Sequence, residues 1–91
     1  MNSTHTLTQF QVDEVDGLLQ VTREEEEISG ERTPWGRVDG TTLTVWDADD
    51  AIDDINDRAD LLEDAWEYEG PGVRGQARSL RKLADAIEAA R

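Results

Sequence analysis

From Asp47 to Glu69 the chain carries two opposite patterns at helical spacing, and no other stretch narrows the possible folds as far. Ala48, Ile52, Ile55, Ala59, Leu62 and Trp66 recur at intervals of four and three, which places them along one side of an α-helix. The other side holds Asp50, Asp53, Asp54, Asp57, Asp60, Asp64 and Glu67, and the whole stretch contains eleven carboxylates against one cation, Arg58. A helix of this length spans about 34 Å and carries about one net negative charge per 3.4 Å, close to the linear charge density of one strand of B-DNA. One side is written for a core and the other for water or a cationic surface.

A chain of 91 residues makes one domain, 1–91, with a small core. Its hydrophobic fraction of 36% is foldable but lean, so the three tryptophans must supply much of the interior bulk. The absence of cysteine removes disulfides, thiolate metal sites and cysteine nucleophiles. No apolar run is long enough for a membrane span or a signal-peptide core, and we expect a soluble, cytoplasmic protein. A net charge of −13 repels nucleic acid and anionic lipid, so direct binding to either is disfavoured and basic partners are favoured.

Residues 1–6 are small and polar without periodicity and read as a flexible N-terminus; His5, the one histidine, lies there. The stretch 7–46 reads as β-hairpins. Phe10 and Val12, then Asp16-Gly17, then Leu19 and Val21 form two alternating runs around a dipeptide suited to a tight type I′ turn. Pairing Val15 with Leu18 across that turn would put all four apolar residues on one face. Glu24, Glu25, Glu26 and Glu27 follow in a row, and four adjacent like charges imply a mobile loop or a splayed strand end.

Val38-Asp39-Gly40 repeats the turn signal, with Thr41 to Trp46 as a β-prone return strand. Pairing Val38 with Thr41 puts Val38, Leu43 and Val45 on one face, and Trp35 and Trp46 with Thr42 and Thr44 on the other. A small helix-covered sheet needs large side chains inside, so the expectation is that the tryptophans fill the core and the small aliphatics face out. Failing that, the pair forms an aromatic anchor for a partner.

Asp47 suits the N-cap of the acidic helix, 47–69, and Gly70-Pro71-Gly72 suits its end. The last helix, 73–91, places Val73, Ala77, Leu80, Ala84 and Ile87 on one face and carries Arg74, Arg78, Arg81, Lys82 and Arg91 against Asp85 and Glu88. The resulting expectation is an α+β fold, ββββαα: a four-stranded antiparallel sheet of two hairpins, covered on one face by an antiparallel helical hairpin.

Catalytic and metal-binding chemistry find little support. Asp47 to Ile52 superficially resembles the opening of a calcium loop, but Ala51, Ile52 and Arg58 stand where that loop needs a ligand, a glycine and a glutamate. Carboxylates on a solvated helix face lack the cleft that would separate their pKa values for acid and base roles. There is no phosphate-binding glycine loop and no nucleophile with a nearby base, so we expect no enzyme, no cofactor and no metal site.

The acidity itself carries the functional expectation. Aspartate is a poorer helix former than glutamate, yet it dominates this helix, and a short side chain holds its carboxylate close to a rigid backbone. The final helix is basic, whereas adaptation to high salt would acidify every surface. Some of the row can pair with Arg74, Arg78 and Arg81, but these cannot neutralise it. The pattern suits a DNA mimic: a small acidic inhibitor of the phage-encoded anti-CRISPR or anti-restriction kind, a monomer or weak dimer, blocking the basic groove of a nucleic-acid-binding protein or complex. Its binding residues would be Asp50, Asp53, Asp54, Asp57, Asp60, Asp64 and Glu67, with Glu24, Glu25, Glu26, Glu27 and Trp35 secondary. The alternatives are an adaptor or antitoxin-like interaction module and a halophile's housekeeping domain whose charge serves only solvation.

Overall fold

The computed structural model describes residues 2–30, 33–69 and 72–91, with side chains for all of these except 29, 66–69 and 72–73. The elements run β1 (Ser3–Thr6), α1 (Gln9–Ser29), β2 (Gly36–Asp39), β3 (Thr42–Val45), α2 (Ala48–Glu69) and α3 (Gly72–Ala90). Among the described residues the sheet has three strands in the order β1-β3-β2, with β3 antiparallel to both neighbours. β1 and β2 are therefore parallel to each other, and α1 is the crossover between them, so the fold is βαββαα rather than the expected ββββαα.

The difference lies in residues 7–30. The stretch expected to form the first hairpin is the helix α1, and its acidic tail, expected as a loop, is helical through Ser29. Val15, Leu19 and Thr22 are spaced four and three apart and are fully buried, whereas Val21, which the strand pattern would place inside, is half exposed. Helix start and stop are both coded locally. Thr8 and Gln11 form a reciprocal capping box, in which the Thr8 hydroxyl accepts from the Gln11 N–H at 3.2 Å and the Gln11 amide oxygen accepts from the Thr8 N–H at 3.0 Å. Gly30 closes the helix at φ 69°, its N–H shared between the carbonyls of Glu25 and Glu26. Asp16 and Gly17 are simply exposed positions on this helix. The expected flexible N-terminus is instead the edge strand β1, paired along β3 from Ser3 opposite Val45 to Thr6 opposite Thr42.

The second hairpin forms, with its register moved by two residues. Asp39 lies opposite Thr42 and Val38 opposite Leu43, so Gly40 and Thr41 make the turn and Gly40 alone takes a positive φ, 64°. A shift of two preserves the face of every side chain. Leu43 and Val45 are buried toward the helices, which overturns the expectation that the small aliphatics face out. The tryptophans divide: Trp35 is 0% exposed and Trp46 is 47% exposed, with its indole N–H donating to the Pro34 carbonyl. Trp35 precedes β2 and so is not bound by the alternation of the strand, while Trp46 continues the outward set Thr42 and Thr44.

α1 packs on β2 and α3 on β1, while α2 lies chiefly against α3. From α2 the core takes Ala51, Ile55, Ala59 and Leu62, and from α3 it takes Ala77, Leu80, Leu83, Ala84 and Ile87. Four alanines among these allow the two helices to approach closely. Ala48 and Ile52 of the anticipated α2 stripe are only half buried. Trp66 and Val73 fall outside the described side chains, and Gly70 and Pro71, expected to end the acidic helix, lie outside the described residues. The far face of the sheet, bearing Thr4, Thr6, Thr42, Arg37 and Asp39, is exposed.

Candidate functional site

Asp47 starts α2 as expected: its carboxylate accepts from the Asp50 N–H at 3.2 Å, and its carbonyl accepts from the Ala51 N–H. Asp49 and Asp50 follow in the first turn, where negative charge suits the helix dipole. Packing of Ile55, Ala59 and Leu62 into the core then forces the opposite side of the helix into solvent.

The anticipated acidic residues separate into three groups. Asp53, Asp57 and Asp64 are exposed and have neither an ion pair nor a side-chain hydrogen bond among the described residues. Asp54 and Asp60 are engaged within the fold. Oδ2 of Asp54 accepts from the Trp35 indole N–H at 2.7 Å, and Asp60 pairs with Arg81 of α3. Asp50 is half buried at the helix start, and the side chain of Glu67 lies outside those described.

Cations from elsewhere in the chain take specific carboxylates. Arg81 binds Glu63 as well as Asp60, and its hydrogen bond holds the Glu63 carboxyl below the usual carboxylate range. Arg91 reaches Asp49 across the helical hairpin. Arg58, the lone cation of α2, turns to α1, where its Nε donates to Glu14 at 2.7 Å. That contact was not apparent in the sequence reading, although an isolated arginine in so acidic a helix was a signal that it serves a neighbour. Arg78 and Lys82 of α3 are exposed and form no ion pair among the described residues, although the Asp53, Asp57 and Asp64 carboxylates remain unneutralised.

The secondary residues also change meaning. Glu24, Glu26 and Glu27 are exposed on the last turns of α1, and Glu25 is half buried. Helical geometry aligns Asp13, Asp16, Glu24 and Glu27 on the outward side of α1, a second acidic stripe. Trp35 is wholly interior and is not a surface contact. The exposed leucine of α2, Leu61, lies between Asp57 and Asp64 on the acidic side and was not singled out from sequence.

No helix among the described residues is long and apolar enough to cross a membrane. The chain matches no protein-family model, no curated protein and no solved structure at a significant level. The surface presents carboxylates at fixed positions on a packed helix, with Asp53 and Asp64 about 16 Å apart along the axis.

Proposed function

We propose that this chain is a small acidic inhibitor that works as a DNA mimic, laying the outer side of α2 into the basic groove of a nucleic-acid-binding protein or complex, in the manner of anti-CRISPR and anti-restriction proteins. The observation that carries the reading is the row Asp53, Asp57 and Asp64, held on a packed helix without a cation partner among the described residues, while Arg78 and Lys82 of the next helix likewise form no ion pair among them. Carboxylates whose helix is already fixed lose little further freedom on binding, and a partner's lysines and arginines gain charge neutralisation as they would from phosphates. Leu61 amid the row supplies an apolar contact that a protein surface can use.

A second reading rests on α1. Its outward stripe is also acidic, so acidity is not confined to one helix, and a chain with one lysine among nine cationic side chains suits solvation at high salt.

The test is capture of DNA-binding proteins from lysate on the immobilised chain at about 0.1 M salt, where the Debye length is about 10 Å. Capture that duplex DNA displaces, and that the triple variant Asp53→Asn, Asp57→Asn, Asp64→Asn loses, is the expected outcome. A complex that forms alongside bound DNA would favour the adaptor role instead. A chain that unfolds below molar salt would favour solvation.

A further inference from the structure

Between the free edge of the sheet and α3 lies an open cleft of about 360 Å³, lined by Thr4, His5 and Thr6 of β1 and by Lys82, Leu83 and Ala86 of α3, among others. The phase of the ladder determines what β1 offers to it. The Leu7 N–H donates to the Thr41 carbonyl at 2.7 Å, and on the other side of β3 the Trp46 N–H donates to the Trp35 carbonyl at 3.0 Å. Antiparallel alternation then assigns Ser3, His5 and Leu7 to β3, so the backbone N–H and C=O groups of Thr4 and Thr6 point away from the sheet.

We infer that this cleft takes an extended peptide segment of another protein as an added strand on β1, with small apolar side chains at alternate positions against α3 and one carboxylate at Lys82. Strand addition beside a helix combines main-chain hydrogen bonds with places for alternate side chains; here the backbone groups of Thr4 and Thr6 offer the first and the cleft beside Leu83 and Ala86 offers room for the second. Leu83 is buried at the cleft and Ala86 leaves room beside it. Natural edge strands are commonly blunted by charge, proline or a bulge, and Ser3–Thr6 has no charged acid or lysine and no proline. The opposite edge differs, because β2 is the strand on which α1 packs and it carries Arg37 and Asp39.

Charge selects the occupant. The chain has 22 carboxylate residues, yet none lines this cleft, and Lys82 at its rim has no ion pair among the described residues. A carboxylate on the incoming strand supplies that pair. A second copy fits less well, since pairing β1 with β1 brings together two chains of net charge −13. The inference stands apart from the acidic side of α2 and does not depend on it.

The test uses a blocked heptapeptide, Thr-Val-Thr-Asp-Thr-Val-Thr, and its counterpart with Lys for Asp, titrated into the isotope-labelled chain and followed by amide NMR and hydrogen exchange. Saturable shifts and slowed exchange centred on Thr4 and Thr6 are expected, with the Asp peptide bound about fivefold more tightly than the Lys peptide, the scale of an exposed ion pair. In Lys82→Glu, an exposed substitution, the preference should reverse. Shifts located elsewhere, or a preference that Lys82→Glu leaves unchanged, would overturn the inference. So would protection of Thr4 and Thr6 that rises with protein concentration alone and accompanies a doubling of mass, which would make a second copy the occupant.

Discussion

The indole N–H of Trp35 donates to Oδ2 of Asp54 at 2.7 Å, joining the approach to β2 to the middle of the acidic helix. A carboxylate that the sequence pattern assigns to an outward row is thereby drawn into the structure, and it satisfies the polar atom of a wholly buried aromatic residue. Asp54→Ala leaves that indole donor unpaired and should cost about 1–3 kcal/mol, whereas Asp54→Asn retains an acceptor oxygen and should cost less. Urea unfolding followed by circular dichroism gives both values, and equal losses would mean that the hydrogen bond contributes little.

Gly36 is buried opposite Val45, and a Cβ built there falls 2.5 Å from the backbone carbonyl oxygen of Thr44. A backbone atom in a paired strand cannot move aside as a flexible side chain does. Gly36→Ala should therefore destabilise by about 1–3 kcal/mol, the usual cost of overpacking. Gly17→Ala is the control: its Cβ meets nothing within 4 Å on an exposed helical position, and it should stabilise by about 0.5–1 kcal/mol. A thermal melt that ranked the two variants the other way would contradict the described packing at Gly36.

His5 sits on the covered face of β1, and its Nε2 lies 2.9 Å from the Ser3 hydroxyl oxygen. Burial pushes its imidazole pKa below the ordinary 6.5. The unfolded chain then binds the proton more readily than the folded one, so stability from this group is complete above 6.5, falls as pH drops through 6.5, and is fully lost below the folded value. Relative to His5→Gln, the wild type should lose stability on acidification from neutral pH. Because His5 is the one histidine, its ring resonances report the titration directly, and a midpoint at or above 6.5 would contradict the prediction.

The triple change Asp53→Asn, Asp57→Asn, Asp64→Asn removes charges that have no cation partner among the described residues. Like charges at helical spacing cost a few tenths of a kcal/mol per pair, so the variant should be about 0.5–1 kcal/mol more stable than the wild type at low salt. Added salt should narrow the gap as screening weakens the repulsion in the parent chain. Asp60→Asn, which removes a carboxylate bound to Arg81, should show no such gain. Melts across a salt series check the contrast, and a triple variant less stable than the parent would refute it.

The parts that could be read from sequence share a physical character: they are decided within a few residues. The α2 stripe from Ile55 to Leu62, the α3 stripe from Ala77 to Ile87, the Asp47 cap and the glycine at the β2–β3 turn are local, and each reappears in the structure. The turn still moved by one residue, to Gly40-Thr41, and the register by two, because a single positive φ at Gly40 sufficed where two had been expected. The outward course of Asp53, Asp57 and Asp64 followed from the same periodicity.

α1 was ambiguous for a definable reason. Phe10, Val12, Leu19 and Val21 satisfy a period of two, while Val12, Val15, Leu19 and Thr22 satisfy a helical one. Asp16-Gly17 tipped the reading toward a hairpin, although the Thr8 and Gln11 capping box and Gly30 marked both helix ends. Periodicity ranks the two patterns equally; burial separates them, because only the helix places Val15, Leu19 and Thr22 together against β2 and the neighbouring helices.

By itself, then, the sequence determined the acidic amphipathic helix, its basic successor and one hairpin, since capping, turn formation and helical periodicity act between near neighbours. Tertiary structure alone decided that Ser3–Thr6 is a strand, that Trp35 is interior while Trp46 is not, and that Asp54, Asp60 and Glu14 have partners while Asp53, Asp57 and Asp64 have none among the described residues. Ser-Thr-His-Thr has no apolar pattern of its own and becomes extended because β3 offers an unpaired edge some forty residues away, opposite Val45 to Thr42. Strand pairing and ion pairing depend on which distant groups are brought within reach, and only the packed chain settles that.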